Sequence, residues 1–359
     1  MALRVAAEPF ALHLRDPLRI ARAADAEAAL TVITHLVDEW DPDREGTGEA
    51  FAVPYYGETS DTVPVVLPYL LAAVEPLAES LRSRDRTVAL RALEQASAAM
   101  NQALGHNGGA KAGIDIALHD LVGKRLGIPV YELLGLSPDL PPTDFTIGID
   151  EPAIVAERAV RAARFPALKI KLGGPADLET LEAVRAVFSG PIRVDANTGW
   201  EPEAGARLIP ELVRLGVELI EQPFPAHRLD QLRWLQERSS LPIVADESAA
   251  TIEDLPGLVG VVAGVNVKLS KCGGVGPAKR MLELARQLGF KTFLGCMVET
   301  TVGIAASASV ASLVDWLDLD GNLLLADDPY EGLDLDAACR WHLSPEPGLG
   351  VRRRGGTIR

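Results

Sequence analysis

The sequence predicts an α/β chain: a closed (β/α)-barrel preceded by a smaller α+β domain. Eight short apolar segments recur after about residue 140, at spacings of about 22 to 27 residues. Amphipathic stretches lie between them, and ahead of them extended segments give way to helical ones. Strand–helix alternation implies parallel strands joined by helical crossovers. Eight units in about 180 residues fit a barrel better than an open doubly wound sheet, and no GxGxxG follows the first strand. At 359 residues the chain is also too long for one simple core.

The elements follow in order. Leu3–Leu14 and Leu30–Val37 alternate and are rich in Val, Ile and Thr, and Gly46–Val53 follows a turn-rich Asp41–Gly48 segment, so a small antiparallel sheet is expected. Helical patterns follow at Val63–Arg82, Arg86–Leu104 and Ala110–Leu126, punctuated by Gly105, Asn107, Gly108 and Gly109 and stopped by Gly127-Ile128-Pro129. Strands followed by segregated helices make an α+β unit, here 1–127. The barrel is expected over 128–326. Its strands are Phe145–Ile149, Leu168–Leu172, Ile192–Asp195, Glu218–Glu221, Ile243–Asp246, Val265–Leu269, Thr292–Gly295 and Leu317–Leu319. Helical stretches such as Ala153–Arg164, Leu178–Phe188, Glu203–Leu215, Arg228–Arg238 and Pro277–Leu288 separate them. A return segment, 327–359, would complete the first domain.

Composition narrows the function. Hydrophobic residues make up 48% and charged residues 24%, ordinary for a globular protein and wrong for a disordered, collagenous or coiled-coil chain. A net charge of −15 leaves no basic footprint for nucleic acid or an anionic membrane; the basic run Arg352–Arg354 reads as a solvated tail. Cys272, Cys296 and Cys339 are few, odd in number and without CxxC spacing, which suits a reducing cytoplasm. Met1–Leu14 carries Arg4 and Glu8 in its apolar stretch, unlike a signal peptide, and no apolar run reaches 18 residues.

Barrel chemistry sits at the C-terminal strand ends. Read in order from the second strand, these give Lys169-Ile170-Lys171, Asp195-Ala196-Asn197, Glu221-Gln222-Pro223, Asp246-Glu247-Ser248, Lys268, Cys296-Met297-Val298-Glu299 and Asp318-Leu319-Asp320. Strand side chains alternate, so Lys169 and Lys171 share a face; they point inward or lie past the strand in solvent. Asp195, Glu221 and Asp246 come from three successive strand ends. Each alone reads equally well as a cap, a turn or a surface acid. Together, as hard oxygen ligands with room for water, they suit Mg²⁺ better than zinc. Strands two and six face each other across an eight-stranded barrel, which sets Lys171 and Lys268 on opposite sides of the centre. Such a pair suits removal of a proton from one face of a carbon and its return to the other. Bringing a lysine from about 10.4 to about 7–8 costs roughly 3.5–4.5 kcal/mol, and the nearby positive charges of Lys169 and a dication have the sign to supply it.

With these motifs in hand, the chain resembles the enolase superfamily, muconate-lactonizing-enzyme subgroup, and within it the dipeptide epimerases of the L-Ala-D/L-Glu type. Ala112–Leu121 resembles the last helix of that family's capping domain, and Gly127–Leu134 the segment entering the barrel. The Lys-x-Lys, Asp-x-Asn, Glu-Gln-Pro, Asp-Glu-Ser and later Lys stand in the subgroup's order. The resemblance implies a modified (β/α)7β barrel, one Mg²⁺ per subunit on Asp195, Glu221 and Asp246, and a substrate carboxylate on that ion. It implies an enediolate stabilised by the ion and Lys169, with Lys171 serving the S configuration and Lys268 the R. Asn197, Glu247 and Glu299 would stand behind these groups, and a homo-oligomer is the family habit.

Substrate choice rests on the remaining pocket. By the resemblance, Asp318 and Asp320 take the α-ammonium of a dipeptide; the other reading makes them solvent-facing or helix-capping. Arg22 lies where a Glu-specific epimerase keeps an arginine for the distal carboxylate, on one of two flexible capping stretches, Asp16–Asp25 and Val53–Asp61. Cys296 and Met297 would line the pocket, though a Met after a strand also serves plain packing. The expected activity is epimerisation at the C-terminal α-carbon of a dipeptide. The alternatives are o-succinylbenzoate synthase or N-acylamino-acid racemase, and muconate cycloisomerase; none of these substrates brings an ammonium to match the two acids. A mandelate-racemase-like or sugar-acid dehydratase site needs a histidine after the seventh strand, where this chain has Cys296–Glu299. A barrel scaffold without turnover is the non-enzymatic reading.

Overall fold

A computed structural model describes residues 2–355; Met1 and the last four residues of the expected return segment lie outside them. Three antiparallel strands open the chain: β1 (Leu3–Ile20), β2 (Ala23–Asp38) and β3 (Asp41–Ala50), with β2 in the middle. β1 and β2 are longer than the sequence predicts. Their pairing passes from His13↔Ala28 to Leu18↔Ala26 through an irregularity and ends at Ile20↔Ala23. Pro17 falls in that irregularity, where a residue without an N–H costs no ladder bond. Thus Asp16–Asp25, expected as a flexible stretch, forms the tip of a hairpin.

Four helices complete this layer: α1 (Thr62–Val74), the single turn α2 (Ala78–Leu81), α3 (Arg86–Ala103) and α4 (Gly108–Leu126). Asp85 caps α3 by accepting from the amides of Thr87 and Val88. α4 is buried on every side from Gly109 to Gly123, and β3 lies directly against it. A Cβ at Gly46 or Gly48 would meet a carbonyl oxygen of α4 at 2.1 Å, so glycine is required there. Thr62–Leu81 is long and apolar enough to pass for a membrane span. However, α1 turns Val63, Leu67, Leu70, Leu71 and Val74 into the capping core, which accounts for its composition.

After the single turn α5 (Val130–Leu133), eight parallel strands follow. They are β4 (Phe145–Ile147), β5 (Leu168–Lys171), β6 (Ile192–Asp195), β7 (Val217–Glu221), β8 (Ile243–Ala245), β9 (Gly264–Val267), β10 (Lys291–Gly295) and β11 (Trp316–Asp318), each paired with its neighbour in sequence order. The ring is nearly closed, its seam held by a Thr143↔Leu317 bridge and the Asp144 amide on the Leu317 carbonyl at 3.1 Å. The crossovers carry α6 (Pro152–Arg161), α7 (Asp177–Val187), α8 (Pro202–Arg214), α9 (Leu229–Gln236), the single turns α10 (Leu255–Leu258) and α11 (Leu269–Cys272), α12 (Val275–Gln287) and α13 (Thr301–Ala308). A 3₁₀ turn, Gly321–Leu324, rather than an α-helix, follows β11.

Two main apolar clusters result, one in each layer, and Ile33, Ala112 and Ile116 of the first layer pack into the barrel's cluster. The return segment touches both. Tyr330, Cys339, Trp341 and Leu349 enter the barrel cluster, while the Leu349 amide binds Asp120 of α4 at 2.8 Å.

Glu49, which no sequence motif marks, bolts the layers together. Its buried carboxylate accepts from Thr31 Oγ1 (2.9 Å), Thr300 Oγ1 (2.6 Å) and the amides of Thr300 and Gly303 at the start of α13. Glu49→Ala would strand these donors in a dry interface. A loss of about 2–4 kcal/mol is expected, read as a lower midpoint in chemical denaturation. An unchanged midpoint would mean that water replaces the carboxylate.

Candidate active site

Register sets up the site. Lys171 pairs with Asp195, and Asp195 with Glu221, across neighbouring strands. Glu221 pairs with Val244, so Asp246 stands two residues further on and, by the period of two, faces the same way. All three acids are fully buried. Lysines, not solvent, meet them. Lys169 Nζ lies 2.8 Å from Glu221 Oε2 and 3.4 Å from Asp195 Oδ2, Lys171 Nζ donates to Asp195 Oδ2 at 2.6 Å, and Lys268 Nζ to Asp246 Oδ2 at 2.9 Å. Lys169 and Lys171 therefore point inward.

Backbone turns aim these groups. Asn197, Thr198 and Gln222 have positive φ (41°, 69° and 34°), which turns the chain sharply just past Asp195 and Glu221. The Asn197 amide donates to Asp195 Oδ1 at 2.9 Å, and its side-chain amide to Glu247 Oε1 at 3.4 Å. Gln222 ties two strand ends together. Its Oε1 accepts from the amides of Asp246 and Ser248, and its Nε2 donates to Phe224 O and Ser248 Oγ. Asn266 Nδ2 donates to Glu221 Oε1 at 2.9 Å. Gln222, Asn266 and Lys271 are not among the residues the sequence singles out. The Glu-Gln-Pro and Asp-Glu-Ser motifs were the signal for the first, since they meet side by side.

The electrostatics of the lysines sets burial and like charge against the surrounding carboxylates. Burial disfavours the charged form of Lys268 and Lys169 acts in the same sense, but Asp246, Glu221 and Asp195 outweigh both and hold it above the usual lysine range. Likewise burial opposes the charge of Lys169, yet Asp318, Glu221 and Asp195 hold it well up. The protein's own charges thus favour ammonium, and the positive charge of Lys169 does not by itself yield a free amine. Burial, with repulsion from Asp195, pushes Glu221 up to about 7. Burial also opposes the charge of Asp246, but Lys268 and Lys271 hold that group well below the ordinary range.

Residues 153–354 match the family described as enolase C-terminal domain-like, and residues 4–135 the mandelate racemase / muconate lactonizing enzyme N-terminal domain. The L-Ala-D/L-Glu epimerase of Bacteroides thetaiotaomicron is 39% identical over 321 residues, covering 86% of this chain and 78% of that protein. A hydrophobic dipeptide epimerase of Roseobacter litoralis is 44% identical over 234 residues, 62% of this chain and 67% of that one. A crystal structure of the Enterococcus faecalis dipeptide epimerase, complexed with Mg and L-Leu-L-Tyr, superposes with a TM-score of 0.85 at 30% identity, covering 98% of this chain and 99% of that one. The chain belongs to the mandelate racemase/muconate lactonizing enzyme family of the enolase superfamily. It is an enzyme of the isomerase class, and its barrel with a strand-rich capping domain is that superfamily's architecture.

The donor set of this enolase-superfamily site fits a hard divalent cation. Besides three carboxylates on successive strand ends, Glu221 Oε2 is buried and accepts no hydrogen bond, although the Lys169 ammonium lies 2.8 Å away. Asn197 Oδ1 and Glu247 Oε2 nearby are also buried without partners. Among the described residues no three acid, histidine or cysteine groups converge into a ready ion cluster; lysine ammonium groups lie against the three carboxylates.

The remaining predicted residues are placed less simply. Asp318 does not stand open at the mouth: its Oδ2 accepts from Lys169 Nζ at 2.8 Å and its Oδ1 from Thr146 Oγ1 at 3.2 Å. Asp320 is the freer acid. Its Oδ2 accepts from the Thr146 amide at 2.5 Å, and its Oδ1 has the Cys296 thiol at 4.0 Å. Burial and the charge of Asp318 push Asp320 up to about 7. Cys296 and Met297 are half-buried, and the Met297 amide donates to Glu299 at 3.3 Å. Glu299 is buried beside Glu49; burial, with that neighbour, pushes it up to about 8.

Arg22 departs most from expectation. Its guanidinium pairs through Nη1 with Glu247 and lies 4.5 Å over the Tyr55 ring, so one of its nitrogens is engaged by the barrel. Val53–Asp61 is anchored as well, since Glu58 accepts from the amides of Gly109 and Ala110 and caps α4. A cleft of about 860 Å³ lined by Arg15, Thr146, Arg158 and Leu325 includes none of the three lysines; it borders the strand-end site through Thr146.

Proposed function

We propose that this enzyme epimerises dipeptides at the α-carbon of the C-terminal residue by Mg²⁺-dependent two-base proton transfer. One observation supports the reading: Lys171 ends strand two and Lys268 directly follows strand six of an eight-stranded ring, and each is held by a different acid of one buried trio. Asp195, Glu221 and Asp246 would hold the Mg²⁺. When bound, the ion offers a positive charge for the substrate carboxylate and for the charge that builds there as the α-proton leaves.

The protein residues supply the rest. One lysine, neutral, takes the α-proton on Nζ, and the opposing ammonium delivers a proton to the other face. The two exchange protonation states and the configuration inverts. Lys169 stays protonated and adds a fixed cation beside the developing negative charge. Asp320 accepts the substrate ammonium, because Asp318 is already committed to Lys169. Two buried acids there disfavour the N-acylamino-acid and muconate alternatives, whose substrates carry no ammonium. The relatives named for dipeptide epimerisation support the substrate class, and three unpaired cysteines suit the reducing cytoplasm where this reading places the enzyme.

The test is a dipeptide library in D₂O with Mg²⁺, read by mass spectrometry and NMR. One deuterium is expected at the C-terminal α-carbon and none at the N-terminal residue. Exchange of no dipeptide, or exchange at the wrong residue, overturns the proposal. Arg22→Ala should slow Ala-Glu and Ala-Leu by a similar factor, about tenfold, because it removes the one cation paired with Glu247 beside Asp246 among the described residues. A loss confined to acidic second residues would show that Arg22 leaves Glu247 to read the side chain.

A further inference from the structure

Lys271 has none of the duties described above, yet its side chain is fully buried. Its ammonium meets four acceptors: Asp246 Oδ1 at 2.5 Å, the Asp246 carbonyl at 2.6 Å, and the carbonyls of Ala249 at 3.1 Å and Asn266 at 2.9 Å. An ammonium has three protons, so four acceptors at these distances leave none to offer a substrate. Lys268 is the opposite case: among the described residues its ammonium donates to Asp246 Oδ2 alone.

Local structure explains how two lysines reach one carboxylate. Lys268 is the N-cap of α11 and Lys271 lies in that single turn, so the two stand three apart on one face. Asp246 is thereby divided, with Oδ1 on Lys271 and Oδ2 on Lys268. Gln222 already grips the Asp246 amide. What Lys271 adds is the plane of the carboxylate, and with its carbonyl contacts the spacing between the ends of β8 and β9.

We propose that Lys271 is a positioning residue for Lys268: by occupying Asp246 Oδ1 and bracing the β8 and β9 ends, it fixes Oδ2 as the one contact that aims the Lys268 amine into the barrel mouth. The inference rests on the reading of Lys171 and Lys268 as opposing bases. It predicts an asymmetry, because Lys171 leans on Asp195, which Lys271 does not touch. Misplacement of a reacting group by about 1 Å costs on the order of 10²-fold.

The experiment measures deuterium wash-in at the α-carbon from each antipode of a dipeptide that the wild type turns over. It compares wild type with Lys271→Met at saturating Mg²⁺, and calorimetry reads Mg²⁺ affinity separately. Exchange from the antipode served by Lys268 should fall on the order of 10²-fold, against less than about threefold from the other, with Mg²⁺ affinity within about threefold. Equal loss on both faces, with or without weaker Mg²⁺ binding, overturns the inference and makes Lys271 a general support of the site. No loss on either face overturns it too. Should Lys271→Met fail to fold, Lys271→Gln, which keeps two donors, is judged by the same asymmetry. A wild type that exchanges both antipodes beside a symmetric variant fails this inference alone. A wild type that exchanges neither fails the epimerase reading and takes the inference with it.

Discussion

Lys268→Ala should abolish epimerisation while one antipode still exchanges its α-proton with solvent. The expected loss of net inversion is at least about 10³-fold, within the range a positioned acid or base contributes. Inversion needs both lysines, one to take the proton and one to return it to the other face. Exchange without inversion needs only one. With Lys268 gone, Lys171 remains on Asp195 at 2.6 Å and can still remove the proton of the S antipode and return a deuteron to the same face. Lys171→Ala should give the mirror result, with the R antipode exchanging. Chiral analysis of a D₂O incubation reads both outcomes at once. If either variant loses exchange from both antipodes equally, the lysines do not act on separate faces. If either still inverts at the wild-type rate, that lysine is not a base.

The parts of this site legible in the sequence are those that obey a local period. Lys169 and Lys171 are two apart on one strand, Asp195, Glu221 and Asp246 close successive apolar segments, and the barrel rhythm puts Lys268 across from Lys171. Pairings between distant residues left no such trace. Asp318 and Lys169 meet across 149 residues, and Glu49 reaches the start of α13 across 251. Nothing in the local composition of either segment signals its partner. Arg22 was visible as an arginine on a capping stretch, but its direction depends on a hairpin whose length turns on an irregularity at Pro17. Lys271 was passed over for another reason. One lysine after β9 satisfied the chemistry, and a second three residues on looked like an ordinary helix residue, although burial without partners would be prohibitive for it.

Asp320→Asn should cut kcat/KM for dipeptides by about 10²–10³-fold while Mg²⁺ affinity changes by no more than about threefold. Asparagine keeps the volume and can still accept from the Thr146 amide at the position that Oδ2 now holds at 2.5 Å, so the fold should survive. What it removes is the negative charge at Oδ1, which among the described residues accepts only a long contact from the Cys296 thiol at 4.0 Å. A substrate ammonium buried against a neutral amide loses a charge pair worth about 3–4 kcal/mol, which corresponds to the stated range. Asp318 cannot compensate, because Lys169 holds its Oδ2 and moving it would unpair a buried cation. An N-acetylated dipeptide gives the decisive contrast: it carries no ammonium, so wild type and Asp320→Asn should process it at similar, low rates. Equal loss of dipeptide turnover and Mg²⁺ binding would place Asp320 at the ion instead, and an N-acetyl substrate that suffers as much as the free dipeptide would remove the ammonium from the account of substrate recognition.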